Sequence, residues 1–198
     1  MNSLTIKESV VEVLNSLQYA PGYTDTSMAG IANFIFTAYR MISREVCASS
    51  LGPNGRANIL IGGQCTATNT LRVFLLSTDN SNVHSLTETL INTNHIFIGA
   101  GASEAGRRLP QNPSDLDYFN VLKYVIDDSN VPTVGGHIQY GRFRGNRFIV
   151  YGIVELGEGD VHYWRGVLDL NSREFMAGHE SFVPGFPYID PFATFGGA

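Results

Sequence analysis

Charged side chains are scarce in this chain, and basic ones are the scarcer kind. Only 16% of its 198 residues are charged, against about a quarter in an average globular protein. Lys and Arg number 13 and Asp and Glu number 18, which leaves a net charge of −5 at neutral pH. This acidic balance argues against broad nucleic-acid binding, which needs a basic footprint. A surface so poor in charge also suggests that a partner covers part of it.

Cysteine and long hydrophobic runs are also scarce. The two cysteines, Cys47 and Cys65, fit a reducing compartment in which thiols stay free. No apolar run approaches the roughly 20 residues of a membrane span. Residues 1–8 have neither the basic start nor the apolar stretch of a signal peptide. We therefore expect a cytoplasmic protein without a membrane segment.

Motifs for metals and cofactors are lacking as well. The five histidines are scattered, no two stand four residues apart as on one helix face, and the sequence contains no Cys-x-x-Cys. Glu104 stands where a dinucleotide-binding loop would have its third glycine, and no strand–helix–strand pattern follows it. The sequence therefore predicts neither a metal nor a cofactor.

The residues that are present are organised around Ala57–Ser77. Two apolar runs, Asn58–Ile61 and Leu71–Leu76, flank a stretch of Gly, Thr and Asn. Apolar runs of this length with turn formers between them are typical of a β-hairpin. Because both runs are nearly continuous, we expect both faces of the hairpin to be covered.

Other patterned segments surround this hairpin. Thr5–Gln18 has apolar residues at helical spacing. A second helix is predicted from a cap at residues 25–27 to about Ser50, with an apolar surface much wider than a stripe. Beyond the hairpin, Thr78–His84 is predicted to be a polar loop and Thr93–Ile98 a third strand.

The second half of the chain begins with helices and continues with strands. Gly101–Leu109 predicts a short helix, and Ser114 caps another that extends to about Asp128. Short connections rich in Gly, Asn and Asp then separate three predicted antiparallel strands, Gly135–Phe143, Arg147–Leu156 and Val161–Leu170. Helices followed by antiparallel strands indicate an α+β fold. We expect one domain over residues 1–180 and a Phe- and Pro-rich arm over residues 181–198.

Short glycine motifs lie at the junctions between these helices and strands. A long helix leads into Leu60-Ile61-Gly62-Gly63, and Ile98-Gly99-Ala100-Gly101 opens the next helix. A further helix leads to Thr133-Val134-Gly135-Gly136-His137-Ile138. Between residues 5 and 140 this order resembles the second half of proteasome β-type subunits, which are N-terminal-nucleophile hydrolases. The resemblance implies an αββα four-layer sandwich, here with an extra C-terminal antiparallel meander. It also implies structural turns at Gly62, Gly63, Gly99, Gly101, Gly135 and Gly136.

The catalytic set of that family has no counterpart in this chain. Family members begin with a Thr, Ser or Cys whose free amine is the base, and two strands bring an Asp and a Lys to it. This sequence begins with what would be the family's first helix, and Ala100 stands at the family's serine. Val131 and Val134 stand on or near its later Asp and Ser, while Asp128 and Ser129 are displaced by several positions. As a self-contained peptidase of this family, the chain should be inactive.

Weak catalytic candidates remain, and each has a structural alternative. Ser3 or Thr5 could become an amino-terminal nucleophile after trimming, but both lie at the edge of a helix pattern, where capping is the commoner role. Cys65 lies in the central turn without a His nearby in sequence, so a small buried cysteine is the commoner interpretation. Asp128 and Ser129 complete the candidates.

Two further regions suggest contacts with partners. Arg142 and Arg144 belong to a local concentration of arginines that alternates with aromatic residues. It is either an edge strand with protective charges or a patch for an acidic partner. The apolar tail either folds back over its own sheet or docks on a neighbouring subunit. Its aromatic residues are Phe182, Phe186, Tyr188, Phe192 and Phe195.

Two functions of different classes fit these observations. The chain is either a non-catalytic structural or assembly subunit that binds partners through its arm, or part of a split or processed N-terminal-nucleophile hydrolase whose nucleophile lies on a missing segment. Missing edge strands would leave unpaired backbone in both cases, so we expect a homo-oligomer or a second chain that supplies strands. The apolar residues Ala100, Val131 and Val134 favour the structural subunit.

Overall fold

The computed structural model describes residues 2–16, 24–51, 57–132, 134, 138–145, 147–156, 161–165, 168–169 and 187–195. The chain forms two compact units, which divide between Ile96 and Phe97. Each unit combines helices with a mainly antiparallel sheet, which confirms the predicted α+β class. The assignment of one domain to residues 1–180, with an arm beyond it, stays a prediction.

Unit 1 (residues 1–96) begins with two helices. Helix α1 spans Asn2–Asn15, and helix α2 spans Met28–Val46 before the chain continues in a π-helical turn through Leu51. The Ser27 hydroxyl caps α2, because it accepts a hydrogen bond of 3.1 Å from the Gly30 amide. Both helices were predicted, although α1 lies closer to the amino terminus than its pattern indicated.

Unit 1 also contains the predicted hairpin, extended by a third strand. Strand β1 (Ile59–Gln64) pairs with β2 (Leu71–Thr78), which pairs with β3 (His84–Thr89), and both pairings are antiparallel. The predicted third strand at Thr93–Ile98 is wrong, since that segment is irregular and β3 already occupies the place beside β2. An edge strand has one neighbour and can be largely polar, and in β3 only Leu86 is a large apolar residue.

The core of unit 1 lies between α2 and one face of this sheet. Ile35 and Tyr39 of α2 and Leu76 of β2 have no accessible surface. The Tyr39 hydroxyl donates to the Ala57 carbonyl over 2.7 Å and lies 2.6 Å from the Thr78 hydroxyl oxygen. The buried tyrosine therefore keeps its polar atom hydrogen-bonded, as buried polar groups in stable proteins do.

The other face of the same sheet is only partly covered. Leu60 and Leu75 lie opposite each other across β1 and β2 on this face. Leu60 is 39% exposed, and Leu71 at the start of β2 is 52% exposed. The expectation that both faces of the hairpin are covered is therefore met on the helix side and only in part on the other.

Unit 2 (residues 97–198) starts with two short helices. Helix α3 spans Ala102–Arg108, and helix α4 spans Asp115–Asp127. Ser114 caps α4 in a capping box, because its amide donates to the Asp117 carboxylate over 2.8 Å while its hydroxyl accepts from the Asp117 amide. Both helices were predicted close to these bounds.

The larger sheet follows α4. Four strands pair antiparallel in sequence order, and they are β4 (Tyr140–Arg144), β5 (Arg147–Leu156), β6 (Val161–Arg165) and β7 (Leu168–Asp169). A short strand, β8 (Tyr188–Ile189), adds to β5 in parallel. The three strands predicted in this region are present, the last of them as two short pieces.

The core of unit 2 lies between α4 and one face of its sheet. Phe119 of α4 is 8% exposed and Ile153 of β5 is 2% exposed. Helix α5 (Pro191–Phe195) contributes Phe195, whose ring stacks on Phe119 with 5.4 Å between ring centroids. The Tyr140 ring lies 5.5 Å from the Phe119 ring. These aromatic contacts hold the beginning of β4 against α4 and α5.

Candidate functional site

The β4–β5 hairpin has two chemically different faces. Residues opposite each other in an antiparallel pair share a face, and side chains alternate along each strand. Arg144 lies opposite Arg147 on one face, and Phe143 lies opposite Phe148 on the other. We call residues 141–144 and 147–150 the docking hairpin.

Arginines occupy the first face of the docking hairpin. Arg142, Arg144 and Arg147 all belong to the concentration of arginines noted in the sequence, and the strand register places Arg147 opposite Arg144. The Arg142 Cζ lies 5.5 Å from the centre of the Tyr151 ring. None of the ion pairs formed by described residues includes these three arginines. Like charges directly opposite each other destabilise a strand pair. A carboxylate bound between Arg144 and Arg147 would reduce their repulsion.

Aromatic and aliphatic side chains occupy the second face. The Phe143 and Phe148 rings lie 5.1 Å apart, Phe148 is 57% exposed and Val150 is 43% exposed. Gly141 makes this arrangement possible, since a Cβ there would lie 2.4 Å from the Phe148 ring. Sequence patterns carry no signal for Gly141, because its role depends on which residue lies diagonally across the hairpin.

The described part of the tail packs within unit 2. Phe195 belongs to the unit 2 core, and Tyr188 in β8 is partly buried. For these two residues the structure matches the first alternative, a tail that folds back over its own sheet. Phe182 and Phe186 lie outside the described residues, as does the side chain of Phe192.

Cys65 directly follows β1 and lies against the beginning of α2. The Met28 amide donates to the Cys65 Sγ over 3.4 Å, and the Cys65 side chain has no accessible surface. Hydrogen bonds from the Thr68 hydroxyl and from the Met28 amide lower the pKa of the Cys65 thiol to about 6, because both favour the thiolate.

The surroundings of Cys65 favour a structural role. A lowered pKa is one condition for a nucleophile, but a nucleophile must also be accessible to its substrate. Near Cys65 the turn is fastened to the start of α2, since the Thr66 hydroxyl donates to the Thr26 carbonyl over 2.9 Å. The interpretation as a small buried cysteine of the turn therefore fits its zero exposure.

The other catalytic candidates have local roles where the structure describes them. Asp128 is the C-cap of α4, and its carboxylate accepts a hydrogen bond of 2.9 Å from the Asn130 amide. Ser129 is exposed in the same turn. Ser3 and Thr5 lie within α1, and their side chains fall outside the described part of the chain.

Two of the predicted turn glycines lie inside a strand. Gly62 and Gly63 belong to β1, so the turn begins only after them. A Cβ at Gly62 would lie 3.2 Å from the Val73 side chain, and one at Gly63 would lie 3.3 Å from the Met28 sulfur. At these positions glycine permits close approach by the neighbouring strand and by the start of α2.

The next pair of glycines does shape a turn. Gly99 has a φ of +97°, a conformation that favours glycine. Gly101 is the N-cap of α3, and a Cβ there would lie 2.3 Å from the Val125 side chain of α4. Gly135 and Gly136 lie outside the described residues.

Comparison with protein-family models, with curated proteins and with solved structures finds no match to this chain. Within the described ranges no three His, Cys, Asp or Glu side chains come together as metal ligands would. The helices that the structure describes include none with the length and apolarity needed to cross a membrane.

Proposed function

We propose that this chain is a non-catalytic structural subunit that assembles with copies of itself through the docking hairpin. The observation that carries this proposal is the exposed Phe148, at 57%, on a hairpin whose three arginines form no described ion pair. Aromatic residues and arginine are enriched at protein interfaces, whereas lysine is depleted. The docking hairpin contains two phenylalanines and three arginines but no lysine.

The charge distribution supports a second copy of this chain as the partner that binds the docking hairpin. The chain has a net charge of −5, although three of its 13 basic residues are concentrated in the docking hairpin. The remainder of the chain is therefore more acidic than the total. A guanidinium binds a carboxylate through two parallel hydrogen bonds, so Arg144 and Arg147 suit an acidic surface.

We further propose that each unit is a helix-and-sheet layer pair of the type found in the αββα sandwich of N-terminal-nucleophile hydrolases, with the Phe148 face of unit 2 left open to a second copy. Two observations support this. Each unit has helices against one face of an antiparallel sheet, which is the outer half of such a sandwich. The turn at Gly99 and Gly101 opens α3, where the glycine motif of the family opens a helix.

Sedimentation velocity tests the assembly proposal. Wild-type protein should sediment as an oligomer, and Phe148→Ser should shift it towards the monomer without changing its circular dichroism. Ile91→Ser is the matched control, because Ile91 is 67% exposed and lies in unit 1. A monomeric wild type, or equal dissociation by both substitutions, would overturn the proposal.

The second candidate function, part of a split or processed N-terminal-nucleophile hydrolase, draws support from the glycine motifs alone. Denaturing mass spectrometry of protein purified from its source tests it. A co-purifying smaller chain that begins with Thr, Ser or Cys is the expected result. Purification as a single 21.7 kDa species would argue against it.

A further inference from the structure

Unit 2 contains an apolar cavity that the assembly proposal does not use. Its volume is about 310 Å³, which lies at the small end of the range for ligand sites. Helix α4, residues 138–140 and α5 bound it. Four aromatic side chains contribute to its wall, namely Tyr118, Phe119, Tyr140 and Phe195.

The aromatic wall is held in place by its own contacts. Phe119 lies 5.4 Å from Phe195 and 5.5 Å from Tyr140, and the Tyr140 and Phe195 rings lie 6.1 Å apart in an edge-to-face arrangement. Phe119 is 8% exposed and anchors the set in the core. A cavity with such a wall is largely preformed, so a ligand would not have to order it.

One carboxylate lines this apolar cavity. Asp115 is the first residue of α4, is exposed and forms no ion pair with a described residue. The cap of α4 does not require Asp115, because Ser114 and Asp117 already complete the capping box. A carboxylate in this position adds a favourable interaction with the helix dipole. It also supplies the only formal charge among the cavity residues that the structure describes.

We propose that this cavity is a binding site for a small organic cation, with Asp115 as its counter-ion. Aromatic ring faces attract ammonium groups, most strongly when the cation carries alkyl groups and is easily desolvated. The wall would surround the alkylated end of the ligand, and the carboxylate would balance its charge at the exposed side. The volume selects a compact molecule over a peptide.

Two ligands of similar shape distinguish the effect of positive charge on binding from the effect of shape. Choline and 3,3-dimethylbutan-1-ol have nearly the same shape, but only choline carries a positive charge. Each is titrated into the full chain, and the ring-proton chemical shifts are followed by NMR. We expect saturable binding of choline, about tenfold tighter than binding of the alcohol.

Two substitutions distinguish the contribution of the carboxylate to choline binding from that of the aromatic rings. Asp115→Asn should weaken choline binding several-fold and leave the alcohol unchanged. Phe195→Leu keeps an apolar side chain, and it should reduce the preference for choline over the alcohol. Asp127→Asn is the matched control, since Asp127 is an exposed carboxylate at the other end of α4.

Several results would overturn the proposal. These are equal affinity for the two probes, shifts that do not saturate, or an equal loss of choline binding in Asp115→Asn and Asp127→Asn. A purely structural role of Asp115 in α4 would change the affinities for both probes in parallel. The ratio of the two dissociation constants therefore remains informative even if Asp115→Asn lowers the stability of the helix.

Discussion

The two sheets differ in whether their arginines form ion pairs with described residues. In unit 1 the Arg72 Nε donates to the Glu88 carboxylate over 2.6 Å, and a second hydrogen bond joins the same two side chains. In unit 2 Arg142, Arg144 and Arg147 form no ion pair within the described chain. The pair in unit 1 neutralises its arginine within the fold, whereas among the described residues no carboxylate pairs with the arginines of the docking hairpin.

Apolar residues differ between the units in the same way. The Arg72 Cζ lies 5.2 Å from the centre of the Phe74 ring, and Phe74 is 6% exposed. Phe148 in the docking hairpin is 57% exposed, on the face opposite the arginines. Arginine and phenylalanine therefore contact each other in the sheet of unit 1, whereas in the docking hairpin the arginines and Phe148 lie exposed on opposite faces. This contrast is the reason why the proposed assembly surface lies in unit 2.

The largest expected effect is the loss of a core ring. Phe119→Ala removes the ring on which Phe195 and Tyr140 pack, and should lower the free energy of unfolding by about 3–5 kcal/mol. Phe148→Ala should change it by less than about 0.5 kcal/mol, as exposed substitutions usually do. Urea denaturation at a protein concentration where the chain is monomeric measures both. Similar losses would mean that Phe148 belongs to the core.

Tyr39→Phe should have the next largest effect. It leaves the Ala57 carbonyl and the Thr78 hydroxyl without their buried partner, which should lower the free energy of unfolding by about 1–3 kcal/mol. Tyr124→Phe is the control, because Tyr124 is 41% exposed. Equal stability of the two variants in urea would show that the buried network of unit 1 contributes nothing.

A smaller effect is expected from the charge contrast itself. Glu88→Gln deprives Arg72 of its carboxylate and should lower the melting temperature, by less than Tyr39→Phe does. Arg144→Gln removes one member of a like-charged pair and should leave the melting temperature unchanged or raise it slightly. Thermal denaturation at low and high salt compares the two. A lower melting temperature for Arg144→Gln would show that Arg144 is neutralised within the fold.

The remaining prediction concerns Cys65 and the pH dependence of stability. Its thiol has a pKa of about 6 in the folded chain and an ordinary value of 9.0, so the native state favours the thiolate. This contribution to stability is complete above pH 9, declines as the pH falls and is lost below about pH 6. Cys65→Ala should therefore make stability less dependent on pH in this window, while Cys47→Ala should not. Identical pH profiles for wild type and Cys65→Ala would refute the lowered pKa.

Local sequence signals predicted most of the helices and strands. Ser114 before an amphipathic run marked the start of α4, and Gly and Asn between apolar runs marked the β4–β5 connection. The sequence did not reveal β3, because an edge strand with one neighbour can be mostly polar. Caps and turns carry their own residue signals, but the hydrophobic pattern of a strand is informative only where burial on one face imposes a period.

The contacts that define the sites depend on tertiary structure. The Met28 amide reaches Cys65 across 37 residues of sequence, and the Arg72–Glu88 pair depends on the register of β2 and β3. Gly141 accommodates Phe148 only because β4 and β5 pair in one register. The arginines could be named from the sequence, but it could not show that they form no ion pair with another described residue.

Amide hydrogen exchange of the wild-type chain at several protein concentrations tests the central claim most directly. If copies dock through the docking hairpin, protection of residues 141–150 should increase with concentration, while protection of β1 (Ile59–Gln64) should stay constant. Protection that rises at β1 instead, or that does not depend on concentration anywhere, would contradict it.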